Sequence, residues 1–351
     1  MIAEAIFPKL AEERVEPFVV RTICVDGCRL TLVQELLSVW NLDQDTARIP
    51  GLLSIHPRKR EKDLELEIMI AMFGSPEEFR FASIGEFVFS IRVRRNIVRE
   101  AWRTQLAFSA EEAERPKDYW DYSKERGFVI KAGQPIIHAL RVATQPGISG
   151  TSFSFSCYRA TEYATLLALA LEPEQTAPHL LSALQEQMET SAIKSRRFHD
   201  VFLREYGSMV RRLPKRFYVP GDRVWFRNPD ALSSDICGYE GSWVFYLGCG
   251  YFSNFWKNAE PYTLEAKSIE IFHWRHGLVV DETGLPRMDE AEVDRNVRMT
   301  LSDSKMTETI LDRMLRYRDS AGDYLDGGCI DTTREYPRYI DREANDFLDT
   351  L

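Results

Sequence analysis

Cys157 is the residue whose type and place could do chemistry. It stands between the glycine- and serine-rich run QPGISGTSFSFS and the helix-forming run YRATEYATLLALAL. A thiol at the start of a helix meets unsatisfied backbone N–H groups and the positive end of the helix dipole. Both favour the thiolate, which is the nucleophile. The same N–H groups can hold an oxyanion when an acyl group is attacked. Such a thiol also needs a base or an orienting partner within hydrogen-bond reach; without one, an inert core cysteine is the plainer reading. Cys24, Cys28, Cys237, Cys249 and Cys329 complete the set and form no C-x-x-C pair. That argues against a zinc finger or a disulfide scaffold and for reduced thiols.

Other ionisable residues compete for a role beside it. His273 and His276 close the run SIEIFHWRH, which reads as a strand. Strand alternation would point the two imidazoles to opposite faces, so that one could reach a cleft. As a metal pair they lack a third ligand nearby. Glu162 lies about 140° around the helix axis from Cys157 and points elsewhere.

These residues need elements to hold them. Residues 64–78 and 84–106 read as helices, the second capped by Ser83 and carrying Arg92, Arg94, Arg95, Arg99 and Arg103 between apolar positions. Such a pattern fits a buried helix with a solvated basic edge. Residues 108–127 read as loop, 128–132 as a strand, 136–144 as a helix and 186–213 as a further helix. FYVPGDRVWFRNPD and SWVFYLGCGYFSNFW alternate in the strand manner. Helices first and strands later is an α+β order. Near the start, FVVRTICV and CRLTLVQELL flank Asp26–Gly27, a hairpin signal that sets Cys24 and Cys28 on facing strands.

Charge divides the chain. Residues 281–351 hold 18 Asp and Glu against 10 Lys and Arg, so nearly all of the net charge of −9 belongs to the tail. A nucleic-acid binder would show the opposite bias. Met306, Ile310, Leu311, Met314 and Leu315 form a helical stripe in that tail, and the polar stretch beyond Gly327–Gly328 gives no structural signal. No run of eighteen apolar residues exists and the first residues are charged throughout, so no membrane partner and a cytoplasmic location are expected. The expected organisation is an N-terminal extension with a hairpin over 1–50, a central domain over 51–280, and an acidic, partly helical tail over 281–351.

A series of stretches, taken in order, resembles one family. They are FRFASIGEFVFSIRVRRNIV (79–98), YW (119–120), FVIKAGQPIIHAL (128–140), FSFSCYRATEYATLLALAL (153–171), GDRVWFRNPD (221–230) and GSWVFYLGCGYF (241–252). Together they resemble the transglutaminase of spore-forming bacteria, a protein-glutamine gamma-glutamyltransferase, over about 52–255. The resemblance implies a papain-like α+β core related to the NlpC/P60 folds, with a helix-borne Cys packed on an antiparallel sheet. It implies a thiolate attack on a protein glutamine carboxamide and transfer to a lysine amine or water. Protein substrates with accessible Gln and Lys are the implied partners, and neither a metal nor an organic cofactor is implied.

Three positions depart from the family pattern. Ser156 stands where the family has Glu before the nucleophile, Ser242 where it has a second Glu opening a core strand, and Asn254 where it has His. Serine and asparagine orient and donate, but they do not take a proton near neutral pH. Glu240, two residues before Ser242, is the carboxylate that a small shift would bring in. The candidate site is therefore Cys157, Ser242, Asn254, Glu240 and Ser156. The alternative is a catalytically silent member that keeps the fold as a binding module, or a related glutamine deamidase or cysteine peptidase. The sequence leaves the oligomeric state open.

Overall fold

The computed structural model describes residues 15–24, 27–109, 113–192, 195–282, 284–318 and 328–338. Strands β1 (Val19–Cys24) and β2 (Gly27–Leu32) form the expected hairpin, with Cys28 opposite Ile23 and Cys24 opposite Gly27. Asp26, in its turn, lies outside the described residues. A short helix α1 (Gln34–Trp40) follows.

Helix α2 (Glu61–Phe73) stops at Gly74, short of the expected 78. Pro76 lies just beyond, and a proline ring disfavours helical backbone in the residue before it. Helix α3 (Ile84–Arg103) opens on Ser83, whose Oγ accepts the Glu86 N–H at 3.1 Å. The Glu86 carboxylate reaches back to the Ala82 N–H. This near relative of the capping box fixes the helix start. Its arginines are paired with carboxylates, and Arg92, Arg99 and Arg103 keep a solvated edge. Arg94 is fully buried and meets Asp222 at 2.8 Å, while Arg92, Arg95 and Arg99 pair with Glu172, Glu65 and Glu61.

Strand β3 (Ala107–Phe108) follows. The segment read as loop holds β4 (Trp120–Ser123), paired with β5 (Gly127–Ile130). Helix α4 (Ile136–Thr144) lies where the sequence placed it. The stretch before Cys157 is not wholly extended: Pro146–Ser149 makes one helical turn, and β6 (Ser154–Phe155) then pairs with β3. Helix α5 (Cys157–Thr176) is buried around most of its circumference, with Ala160, Ala164, Leu167, Ala168, Leu169 and Ala170 all nearly inaccessible. A helix that is apolar on all sides belongs at the centre. It packs between α3, α4 and β9 (Gly241–Gly248).

The single helix expected over 186–213 is instead α6 (Pro178–Thr190), α7 (Ser195–Phe202) and β7 (Leu203–Gly207). The remaining strands are β8 (Arg223–Arg227), β10 (Tyr251–Phe252) and β11 (Tyr262–Thr263). SIEIFHWRH is not a strand. Thr263 caps α8 (Leu264–His273), accepting the Ala266 N–H at 3.1 Å, and a turn of 3-10 helix over Trp274–His276 follows. The hairpin of β12 (Leu278–Val280) and β13 (Pro286–Met288) leads to α9 (Glu290–Ser302) and α10 (Ser304–Met314). The expected stripe places Ile310 and Met314 of α10 in the core beside α8.

The polar end of the chain corrects the sequence reading most. Residues Thr333–Pro337 form β14, and the main sheet runs β11-β10-β9-β8-β14-β7. Its neighbouring strands are antiparallel. The last described strand thus sits inside the sheet, between β8 and β7. The segment after 280, set apart in the expected organisation, supplies a strand to the main sheet. The result is an α+β fold in which a helix-borne Cys packs on an antiparallel sheet.

Candidate active site

Cys157 is the first residue of α5, and Ser156 is its N-cap, with Oγ accepting the Arg159 N–H at 3.4 Å. Ser156 thereby holds the helix start, as its residue type suits. The side chain of Cys157 faces the beginning of β9. The backbone N–H groups of Trp243 and Tyr158 lie close enough to the sulfur to favour its thiolate. Burial pushes the thiol up from its ordinary value. These two donors, with the charges of Lys267 and Arg223, oppose burial without overcoming it. The helix start therefore does not lower the thiol pKa as its position suggested, because desolvation outweighs the oriented N–H groups.

The structure brings together two of the expected residues and separates the others. The peptide joining Ser242 to Trp243 is the one that meets the Cys157 sulfur, so Ser242 adjoins the thiol. Ser242 is nearly buried, and its hydroxyl makes no hydrogen bond among the described residues. Asn254 is a loop organiser. Its Oδ1 accepts the N–H groups of Trp256 and Lys257 at 3.2 and 3.1 Å, and its Nδ2 donates to the Glu260 carbonyl at 2.9 Å. Those bonds fill both acceptor sites of the amide and tie it to its own loop. Glu240 is exposed, and its carboxylate accepts the Gly238 N–H at 3.1 Å within its own turn.

His273 and His276 do not point to opposite faces. On a helix they stand one turn apart, and their Nδ1 atoms meet at 2.9 Å. The other ring nitrogen of His273 lies 2.6 Å from the Thr300 hydroxyl. Burial and the neighbouring His276 hold His273 down to about 4, so it stays neutral at physiological pH. Glu162 lies 2.6 Å from Arg159.

Two buried cations that the sequence reading missed act on the thiol through their charge. Lys267 is 2 % exposed, its Nζ is 3.0 Å from Glu270, and it lies 4.1 Å from the centre of the Tyr262 ring. Arg223, 1 % exposed, stacks 3.7 Å over the Trp243 ring and 4.4 Å from that of Tyr158. Its Nε donates to the Thr161 hydroxyl at 2.8 Å, and its Nη1 pairs with Glu335. Thr161 is one helical turn beyond Cys157, on the same face of α5. Lys267 and Glu270 were legible as an i, i+3 pair once Thr263 is read as a helix cap. Arg223 carried no such signal, because an arginine inside an alternating strand reads as a solvated position.

A groove of about 1280 Å³ runs beside the segment leading into the thiol, walled by Tyr119, Tyr122, His138, Ile148 and Phe153 among others. Cys157 is not in its wall. No helix among the described residues is long and apolar enough to cross a membrane.

Comparison with known proteins gives these features a family. Among solved structures, the transglutaminase from Geobacillus stearothermophilus, without its C-terminal extension, is similar at a TM-score of 0.38 and 15% identity. The match covers 61% of this chain and 97% of that one. No curated protein matches the sequence. The sequence model described as protein-glutamine gamma-glutamyltransferase matches residues 50–324, which include the Cys157 helix, the strand facing it and both buried cations. The chain belongs to the protein-glutamine gamma-glutamyltransferase family.

Proposed function

We propose that the protein is a cysteine acyltransferase of the transglutaminase type, with Cys157 as its nucleophile and protein glutamine as its acyl donor. The Cys157 sulfur adds to the side-chain carboxamide carbon. The C–N bond breaks, the thiol proton leaves with the nitrogen, and ammonia departs from a thioester. A lysine amine then attacks the thioester carbon, forming an isopeptide bond and returning the sulfur and a proton to Cys157. Water in place of the amine gives glutamate. Neither step calls for a metal or an organic cofactor.

The observation that carries this reading is the set of groups around the sulfur: two backbone N–H donors and the charges of Lys267 and Arg223. All four favour the anion, and oriented donors of this kind also suit the oxyanion formed during acyl transfer. A second reading, a silent binding module, is favoured by one observation. Burial keeps the thiol protonated, and Ser156 and Asn254 are committed to backbone bonds where the family has ionisable groups. Casein and a labelled primary amine, with and without iodoacetamide, separate the two. Label joined to casein, and lost on alkylation of Cys157, supports the transferase. A cooperatively folded protein with no incorporation between pH 7 and 9.5 supports the binding module.

A further inference from the structure

The family match ends at residue 324, yet strand β14, at Thr333–Pro337, is inserted between β8 and β7. It brings one carboxylate toward the thiol. Glu335 sits directly across from Arg223 in the β14–β8 pairing, and their side chains meet as a buried ion pair. The other carboxylate oxygen of Glu335 is 3.3 Å from Nε2 of His199, on α7. His199 is about two-fifths exposed, so the series ends at solvent. At its inner end the Arg223 guanidinium holds Thr161 by its Nε, and its face lies on the Trp243 indole. Trp243 is the residue whose backbone N–H acts on the Cys157 sulfur, and its ring meets that of Tyr158, the residue after Cys157, at 5.6 Å between centres. The Arg223 Nη2 is buried without a hydrogen-bond partner, and the Tyr158 hydroxyl is close enough for the guanidinium to act on it. Glu335 and Thr161 therefore set where this cation lies.

We infer that Glu335 is a positioning residue for Cys157: by anchoring Arg223 against Trp243 it fixes both the cation and the backbone donor that the sulfur faces. Strand β14 is then part of the site, although it lies outside the family match. The inference rests on Cys157 as the acting thiol. Burial raises the Glu335 carboxyl, but its bond to His199 and the charge of Arg223 outweigh burial and hold it below the usual range. It is thus ionised wherever the thiol titrates. The charged groups facing the sulfur are Lys267 and Arg223, with Glu270 and Glu335 as their respective partners. His199 is faced by Glu335 and Asp200, with Glu205 and Arg223 close enough to act on it.

The test follows the rate of Cys157 alkylation by iodoacetamide against pH in the full chain, read by peptide mapping, with amine incorporation in parallel. Glu335→Gln leaves Arg223 without its counter-charge. The alkylation midpoint should rise, because the cation and the backbone donor that favour the thiolate are no longer held in place, and amine incorporation should drop with it. Glu335→Asp, which keeps the charge, should hold the midpoint near that of the wild type. If Glu335→Gln does not fold cooperatively in urea, the double variant Arg223→Gln with Glu335→Gln carries the test, since it buries no lone charge. Its midpoint should rise, because the cation that favours the thiolate is gone. Local unfolding would move it down instead, toward an ordinary thiol. Midpoints within about 0.2 pH units of the wild type in both variants overturn the inference. The alkylation profile needs no turnover, so it decides the role of Glu335 even in a protein that shows no amine incorporation.

Discussion

Two cysteines of this protein end up in opposite electrostatic company. Cys157 begins a helix, faces a strand end, and lies near two cations. Cys249 occupies the turn between β9 and β10, with a backbone φ of 55° in a region that favours glycine. Its N–H donates to the Glu67 carboxylate at 2.8 Å, and its sulfur lies 4.0 Å from the other carboxyl oxygen. Burial, then the Glu67 charge, push its thiol up to about 12. Glu67 is itself fully buried, and burial pushes it up to about 8 despite the bond from Cys249. Both thiols pay desolvation, so burial does not separate them; the sign of the nearest charges and the count of N–H donors do. A cysteine at the end of an element thus becomes a candidate nucleophile only through what faces it.

The comparison can be broken most directly by removing each sulfur in turn. Cys157→Ala should abolish amine incorporation, and Cys249→Ser should leave it intact, measured as label bound to casein. The opposite pattern would move the reactive centre to the β9–β10 turn.

The next effect is on stability. Glu67 keeps its proton up to about pH 8 in the folded chain but loses it near 4.5 when unfolded. Its contribution is fully present below 4.5 and is lost as pH rises through 8, with a total of about 4–5 kcal/mol at stake. Glu67→Gln should flatten that part of the profile. Urea unfolding of both proteins at pH 5 and pH 9 reads this as a smaller drop in the variant. An equal drop in both would show that Glu67 does not titrate in this window.

Reactivity sharpens the comparison further. At pH 8 a thiol near 12 is ionised to about one part in ten thousand. Limiting iodoacetamide should therefore label Cys157 faster than Cys249, by peptide mapping. Faster labelling of Cys249 would mean that Glu67 acts as its base. The smallest effect belongs to the helix start that distinguishes Cys157. The Ser156 bond is long, so Ser156→Ala should cost about 0.5 kcal/mol of unfolding free energy, at the low end for N-caps.

Much of this was legible because it is local. Ser83 and its helix, the alanine- and leucine-rich α5, and strands β8 and β9 follow from caps, propensity and alternation within each segment. The position of Cys157 between an extended run and a helix followed from the same signals. What was missed depends on partners distant in sequence. SIEIFHWRH alternates well enough to pass for a strand, and only the Thr263 cap and the Lys267–Glu270 spacing reveal a helix. The TREYP strand is short and polar, and pairing with β7 and β8 is what makes it a strand. Its carboxylate could not be matched to Arg223 without that pairing. Asn254 and Glu240 were judged by residue type, whereas the backbone groups beside them decide what each one does.

The placement of β14 also constrains how the chain reaches its fold. Strands β7 and β8 lie within 25 residues of one another in sequence, yet they join only through a strand made on the order of a hundred residues later. During synthesis both must wait with open hydrogen-bonding edges until Thr333–Pro337 leaves the ribosome. Contacts closed so late make for slow folding, and open strand edges in the interval invite association between nascent copies. A chain halted between residues 315 and 332 would carry these helices and Cys157 but not this closure, and polysomes carrying such chains are where aggregation should begin.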